Sequence, residues 1–221
     1  TLRAPAVVIA TGTFLKGVVH IGRESFAAGR FASKRAAGPA ADTGAEVEAE
    51  PPSTGLALTL GRLGVPLGRL KTGTPPRLDG RSIDFSALAH AVQHSEPAAA
   101  DTFLSFAHAL RGAPFAPTLV DCHRAETNVR THAIVAECMH TLPEYESGGG
   151  KGVGPRYCPS LHAKVERFAG RDSHVVWLEP EGLGTHMVYP NGISGAFPPE
   201  VQERIVRSIV GLEAAGIVRP A

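Results

Sequence analysis

The stretch Gly148-Gly149-Gly150-Lys151-Gly152-Val153-Gly154-Pro155-Arg156-Tyr157-Cys158-Pro159-Ser160 organises the chain. Glycines without a Cβ let the backbone approach a ligand closely. A basic residue, an aromatic and a cysteine follow at once, and then Pro159 and Ser160 open an apolar-periodic segment. Leu161, Val165 and Phe168 fall at i, i+4 and i+7, which predicts a helix with Ser160 as its N-cap. Cys158 then stands just before a helix start with Arg156 two residues away. Both the helix dipole and the guanidinium favour a thiolate there, so Cys158 is the candidate nucleophile. Cys122 follows an apolar run and Cys138 falls inside a predicted helix, so both read as inert thiols.

The chain has 221 residues with 43% hydrophobic content, enough for a sizeable core in one or two domains. A net charge of +1 leaves no global basic field, so nucleic-acid contact must rest on local patches. Three unevenly spaced cysteines do not form a disulfide framework, and a reducing compartment is expected. No apolar run approaches the length of a membrane span. The chain begins at Thr1 and enters a predicted strand almost immediately, so it reads as an internal segment.

Outward from the central stretch, Ala6-Val7-Val8-Ile9-Ala10 is a short apolar run ending in Thr11-Gly12-Thr13. It predicts a buried parallel strand whose carboxyl end carries a ligand-binding turn. Val18 to Gly22 predicts a second strand. Residues 33–52 are rich in Ala, Gly, Pro and acidic residues and predict a mobile loop. A helix over 54–63 follows, capped by Ser53 and ended by Gly64. Arg69, Lys71 and Arg77 surround Thr72-Gly73-Thr74-Pro75-Pro76, an arrangement suited to anions or simply to a solvated loop. Residues 88–118 carry no recognisable chemistry. Cys122, His123, His132, Cys138 and His140 lack the paired spacing of a zinc site. A helix is expected to follow Thr131-His132 as far as about His140. Val175 to Leu178 predicts a strand, and Glu179-Pro180-Glu181-Gly182 and Tyr189-Pro190-Asn191-Gly192 predict turns. The clearest helix spans 199–215, with Val201, Ile205, Ile209 and Leu212 on one face, and Ile217-Val218-Arg219 begins a strand.

Gly154-Pro155-Arg156-Tyr157-Cys158-Pro159-Ser160, with Lys164 and Phe168 downstream, resembles the signature of the MnmG (GidA) family of tRNA-modifying flavoenzymes. Further blocks match in the family's order. They are 10–15, 20–22, 68–77, 83–86, Thr127-Asn128 with Thr131-His132, 178–182, 189–194, and Ile205-Val206-Arg207-Ser208 with 217–220. Within the signature the family usually has Glu-Asp where this chain has His162-Ala163, so the acidic partner of a capping box is missing. About 20 residues lie between Arg30 and Pro51 where the family's loop is short.

The resemblance implies an α/β fold: part of a flavin-binding Rossmann-type domain with an inserted smaller α+β domain. Residues 1–87 and 199–221 would belong to the first and 88–198 to the second. It implies FAD near Thr11, Gly12 and Ser53, and NADH at Gly154, Pro155, Arg156, Tyr157, Cys158, Pro159, Ser160 and Phe168. Cys158 would be the thiol acting at the uridine or the flavin, with Arg156 and Lys164 stabilising anionic groups. Arg69, Lys71 and Arg77 would contact tRNA backbone or flavin phosphate. The implied reaction moves a one-carbon unit from methylene-tetrahydrofolate to C5 of a wobble uridine, with NADH as reductant. The implied partners are tRNA, a second copy of the chain and an MnmE-type GTPase. The location would be bacterial cytoplasm, or a mitochondrion or plastid. The G-x-G-x-x-G that a flavin-binding Rossmann half uses does not occur within residues 1–221. Two other classes remain: a non-catalytic tRNA- or nucleotide-binding remnant, and another Rossmann flavoprotein oxidoreductase.

Overall fold

A computed structural model describes residues 3–29, 31–33, 47–88, 91–94, 118–143, 154 and 159–221. Six strands form one sheet in the order β10-β5-β9-β8-β7-β6. They are β5 (Arg77–Asp79), β6 (Val92–Gln93), β7 (Cys122–Glu126), β8 (Val175–Pro180), β9 (Met187–Asn191) and β10 (Ile217–Arg219). Every pairing in it is antiparallel. This sheet draws strands from all three stretches into which the sequence reading divides the chain.

Three helices accompany the sheet: α2 (Val129–Cys138), α3 (Leu161–Arg167) and α4 (Pro199–Val206). Leu78, Val176, Leu178 and Val188 of the strands join Val135, Leu161, Val201, Ile205, Val206 and Phe197 in one buried cluster. The cluster contains no described residue before Leu78. The mixture of helix and sheet agrees with the expected α/β class.

The N-terminal part holds two hairpins and a helix. β1 (Val18–Ile21) pairs β2 (Glu24–Ala27), β3 (Phe31–Ser33) pairs β4 (Val47–Ala49), and α1 spans Gly55–Arg62. Of the loop expected at 33–52, Ser33 and Val47–Ala49 are strand residues, and 34–46 lie outside the described residues.

Several expectations are corrected. Ala6 to Ala10 forms no strand, and Val7 and Val8 are 80% and 90% exposed. A continuous apolar run acquires strand form only with neighbours to pair with, and among the described residues it has none. Ser53 does not cap α1. The cap position is Thr54, without a side-chain hydrogen bond, while Ser53 pairs in parallel with Leu15. Glu179 and Pro180 complete β8, so that turn begins only at Glu181. Tyr189, Pro190 and Asn191 complete β9, and the turn comes at Gly192, whose φ is 118°.

α4 stops at Val206 instead of continuing to 215. Beyond it, Ile209, Leu212 and Ala215 donate to carbonyls three residues back, and Gly211 takes φ +83°. Successive tight turns keep the apolar residues facing the core, so the stripe outlasts the helix that it predicted. As expected, β1 occupies Val18–Ile21 and β10 is a strand, whereas α2 starts at Val129, before the Thr131-His132 after which it was expected. Asn128 and Thr131 make a reciprocal capping box at the start of α2.

Candidate active site around the start of the third short helix

The start of α3 is held by the backbone beyond β9. Leu161 N–H donates to the Ser194 carbonyl at 2.8 Å, and Lys164 Nζ donates to the Gly192 carbonyl at 2.8 Å. On the other side, Thr74 and Gly195 form an antiparallel bridge. A Cβ on Gly73 would lie 3.3 Å from Ser194 Cβ, and one on Gly154 would lie 3.3 Å from Lys71 Cε. Lys71, Gly73 and Thr74 of the expected anion loop therefore come together with Gly154 and the start of α3 around the 192–195 turn. Blocks far apart in sequence converge on one place.

Ser160 stands at the N-cap of α3, but its hydroxyl does not cap the helix. It hydrogen-bonds instead to His162 Nδ1 at 3.0 Å. The imidazole is 2% exposed and meets the Phe197 ring edge-on, with centroids 6.4 Å apart. His162 thus takes the Ser160 hydroxyl away from the backbone N–H groups that it was expected to satisfy. Sequence reasoning noted only that an acidic residue was missing here. The signal it passed over is that a polar residue beside a buried Leu161 needs a local partner.

Lys164 is part-buried on the carbonyl of Gly192. Phe168 follows the last helical residue with φ −122° and is half exposed, so it leaves the buried row expected of it. Arg171 lies over its ring at 5.6 Å, and His174 meets it edge-on at 6.2 Å. Burial, followed by the neighbouring His132, Lys164 and Arg171, pushes the His174 imidazole below its ordinary pKa of 6.5. Its Nε2 is buried without a hydrogen-bond partner. Pro155, Arg156, Tyr157 and Cys158 lie outside the described residues.

Of the other thiols, Cys122 is partly buried, and burial, followed by Glu179 and Asp121, raises its pKa. That suits an unreactive thiol. Cys138 is buried and accepts from Arg204 at 3.3 Å. No group of three His, Cys, Asp or Glu with metal-holding geometry occurs among the described residues.

The three candidate nucleic-acid cations differ. Arg69 is exposed and donates to the Lys16 carbonyl at 3.0 Å. Lys71 is partly buried beside Gly154. Arg77 is committed internally: it pairs with Glu181, donates to Thr74 Oγ1 at 2.9 Å and to the Pro75 carbonyl at 2.6 Å, and covers the Tyr189 ring at 4.4 Å. Arg219 lies 4.0 Å from the same Glu181. The Arg77–Glu181–Arg219 group fastens the anion loop to the sheet, a role the isolated turn reading of Glu181 did not reveal.

The candidate flavin residues also come together. Gly12 has φ +56°, and Phe14 N–H donates to the Thr11 carbonyl at 3.3 Å. Ser53 N–H donates to the Phe14 carbonyl, and Lys16 N–H to the Ser53 carbonyl. The turn at Thr11-Gly12 and the exposed Ser53 hydroxyl therefore share one surface. A glycine turn with backbone amides and an exposed serine beside it suits a flavin nucleotide.

The profile of the family described as "Glucose inhibited division protein A" matches residues 1–221. The chain is also similar to the solved structure of Aquifex aeolicus GidA in its form I crystal, with TM-score 0.71 and 39% identity, covering 96% of this chain and 32% of that one. For the form II crystal the values are 0.70, 38%, 95% and 29%. The chain thus spans about a third of the length of these relatives.

Proposed function

Because the chain belongs to the glucose inhibited division protein A (GidA) family, we propose that it is part of a flavin-dependent enzyme that modifies the wobble uridine of tRNA. The observation that carries this reading is the convergence of Lys71-Thr72-Gly73-Thr74, Gly154 and Ser160–Lys164 on the 192–195 turn. Gly154 stands beside Lys71 of the basic loop, and the start of α3 is held on the 192–195 turn that also meets Gly73 and Thr74.

FAD would rest against Thr11, Gly12 and Ser53, and NADH against Gly154 to Ser160 and Phe168. When bound, the flavin supplies the redox chemistry by which NADH and methylene-tetrahydrofolate deliver a one-carbon unit to C5 of the uridine. The chain's own residues bind, orient and move protons. Cys158 supplies a thiolate beside the helix start, favoured by the α3 dipole and Arg156. Lys164, fixed on the Gly192 carbonyl, supplies a positive charge to developing anions from a position that does not have to reorganise. Phe168 offers a half-exposed ring face for stacking. Arg69 and Lys71 meet the tRNA backbone, and Arg77 holds the loop that carries them. A second copy of the chain and an MnmE-type GTPase complete the assembly.

The test is Cys158→Ser in the full-length enzyme. Uridine modification is expected to be abolished while flavin content stays normal, because an interaction needed only for chemistry affects turnover and not cofactor binding. Wild-type modification by that variant, or faster alkylation of Cys122 or Cys138 than of Cys158 near neutral pH, overturns the assignment.

A further inference from the structure

Between the first turn of α2 and the last turn of α4 lies an open groove of about 360 Å³, lined by Arg130, Ile134, Glu203, Arg204 and Arg207. None of these residues belongs to the site described above. The two helices are pinned together beside it. Asn128 Nδ2 donates to the Ser208 carbonyl at 2.7 Å, and Thr131 Oγ1 and Ser208 Oγ share a buried hydrogen bond of 2.7 Å. The groove is therefore a preformed surface: its lining comes from α2 and the end of α4, and hydrogen bonds from Asn128 and Thr131 to Ser208 hold the two together.

Arg130 is exposed, with no hydrogen-bond or ion-pair partner among the described residues. Arg204 donates to Glu137 Oε2 at 2.7 Å, and Arg207 pairs with Glu203 at 2.8 Å across one helical turn. The side chains of both pairs are 47–65% exposed. Ion pairs this exposed contribute little, so they do not prevent the guanidiniums from engaging a further anion. Each guanidinium has five N–H donors, and these pairs use a minority of them. Three arginines against two carboxylates leave the groove positive. Planar forks on a solvent-open surface match phosphate oxygens.

We propose that this groove binds the phosphate backbone of an RNA strand, as a second contact surface for the tRNA. The proposal rests on the tRNA reading above. Contacts of this kind fix position without reading sequence.

The experiment measures tRNA binding by the full-length protein as a function of salt, for wild type and for Arg130→Gln, Arg207→Gln and Glu203→Gln. Each arginine substitution is expected to weaken binding and to reduce the slope of log K against log salt by about 0.7–0.9. Glu203→Gln, which frees Arg207, is expected to tighten binding, and it tests the same charge logic without removing an arginine. Unchanged affinity and slope in both arginine variants, with wild-type tRNA binding intact, overturns this proposal alone. Failure of the wild type to bind tRNA overturns the tRNA reading and this proposal with it. Thermal stabilisation by inorganic phosphate that needs Arg130, with an unchanged tRNA slope, assigns the groove to a free anion and also overturns it.

Discussion

His174 shows how one side chain couples stability to pH near the candidate site. It is 8% exposed, and its ring faces His132 of α2 at 5.1 Å, with Lys164 of α3 and Arg171 close enough to act on it. Burial and these positive neighbours both favour the neutral imidazole, so its folded pKa lies below 6.5. The unfolded chain therefore binds more protons in the interval beneath that value. Stability is full above about pH 6.5 and declines as the pH falls toward the lower folded pKa. Urea midpoints measured from pH 8 to about pH 5 are expected to fall below pH 6.5, and His174→Phe is expected to flatten that part of the profile. A wild-type midpoint that rises on acidification would show that the imidazole gains a proton partner on folding. At this scale the sequence was uneven. The start of α3 after Ser160 is readable because residue type and spacing mark it. The His162–Ser160 bond and the orphaned His174 Nε2 are not, because both depend on which side chains the fold brings near.

Among the elements, the two proline-bearing strands explain the misread turns. Glu-Pro-Glu-Gly and Tyr-Pro-Asn-Gly carry turn residues, yet Pro180 ends β8 and Pro190 lies inside β9. β5 pairs with β9 only at Met187 and Val188, so no ladder runs past Pro190 on that side. A residue without an N–H loses nothing there, which is the edge condition under which strands accept proline. Local composition cannot show where a neighbouring strand stops. Gly192 is the true turn, with φ 118°, and a Cβ there would lie 2.5 Å from the Val175 carbonyl oxygen. Gly192→Ala must therefore strain the backbone and displace β8, at a cost of about 1–3 kcal/mol. Since the Gly192 carbonyl holds Lys164, the proposed function further predicts that the same change in the full-length protein lowers uridine modification at temperatures where it remains folded. A chemical denaturation midpoint equal to wild type would show that the turn relaxes without cost.

The whole molecule divides by where its apolar surface goes. The buried cluster runs from Leu78 to Ala215 and gathers α2, α3, α4 and the sheet, whereas Val7, Val8, Ile9, Leu58, Leu63, Leu67 and Leu70 stand exposed. That contrast also explains the misread strand at 6–10. The run carries the composition of a buried strand, but burial requires partner surface, and composition does not say where that surface comes from. Within the sheet unit β8, β10, α3 and the start of α4 were legible because their apolar runs match contacts made within these 221 residues, whereas β5, β6, β7 and β9 are short or carry charged and turn residues, so no apolar pattern marked them. Opening free energies follow the same division, since segments with few buried contacts open without global unfolding. Native-state hydrogen exchange on the 221-residue chain is expected to protect Val176, Leu178 and Val188 of the central strands most strongly, at the level of global unfolding. Amides of residues 3–16 should exchange fastest, at a level set by local opening and insensitive to denaturant. In a longer protein that carries the rest of a flavin-binding domain, the same amides of residues 6–12 should become protected once partner surface covers Val7 and Val8. Exchange at residues 6–12 as slow as at Val176 in the 221-residue chain would show that this run already has its partner, and would restore the strand that its sequence suggested.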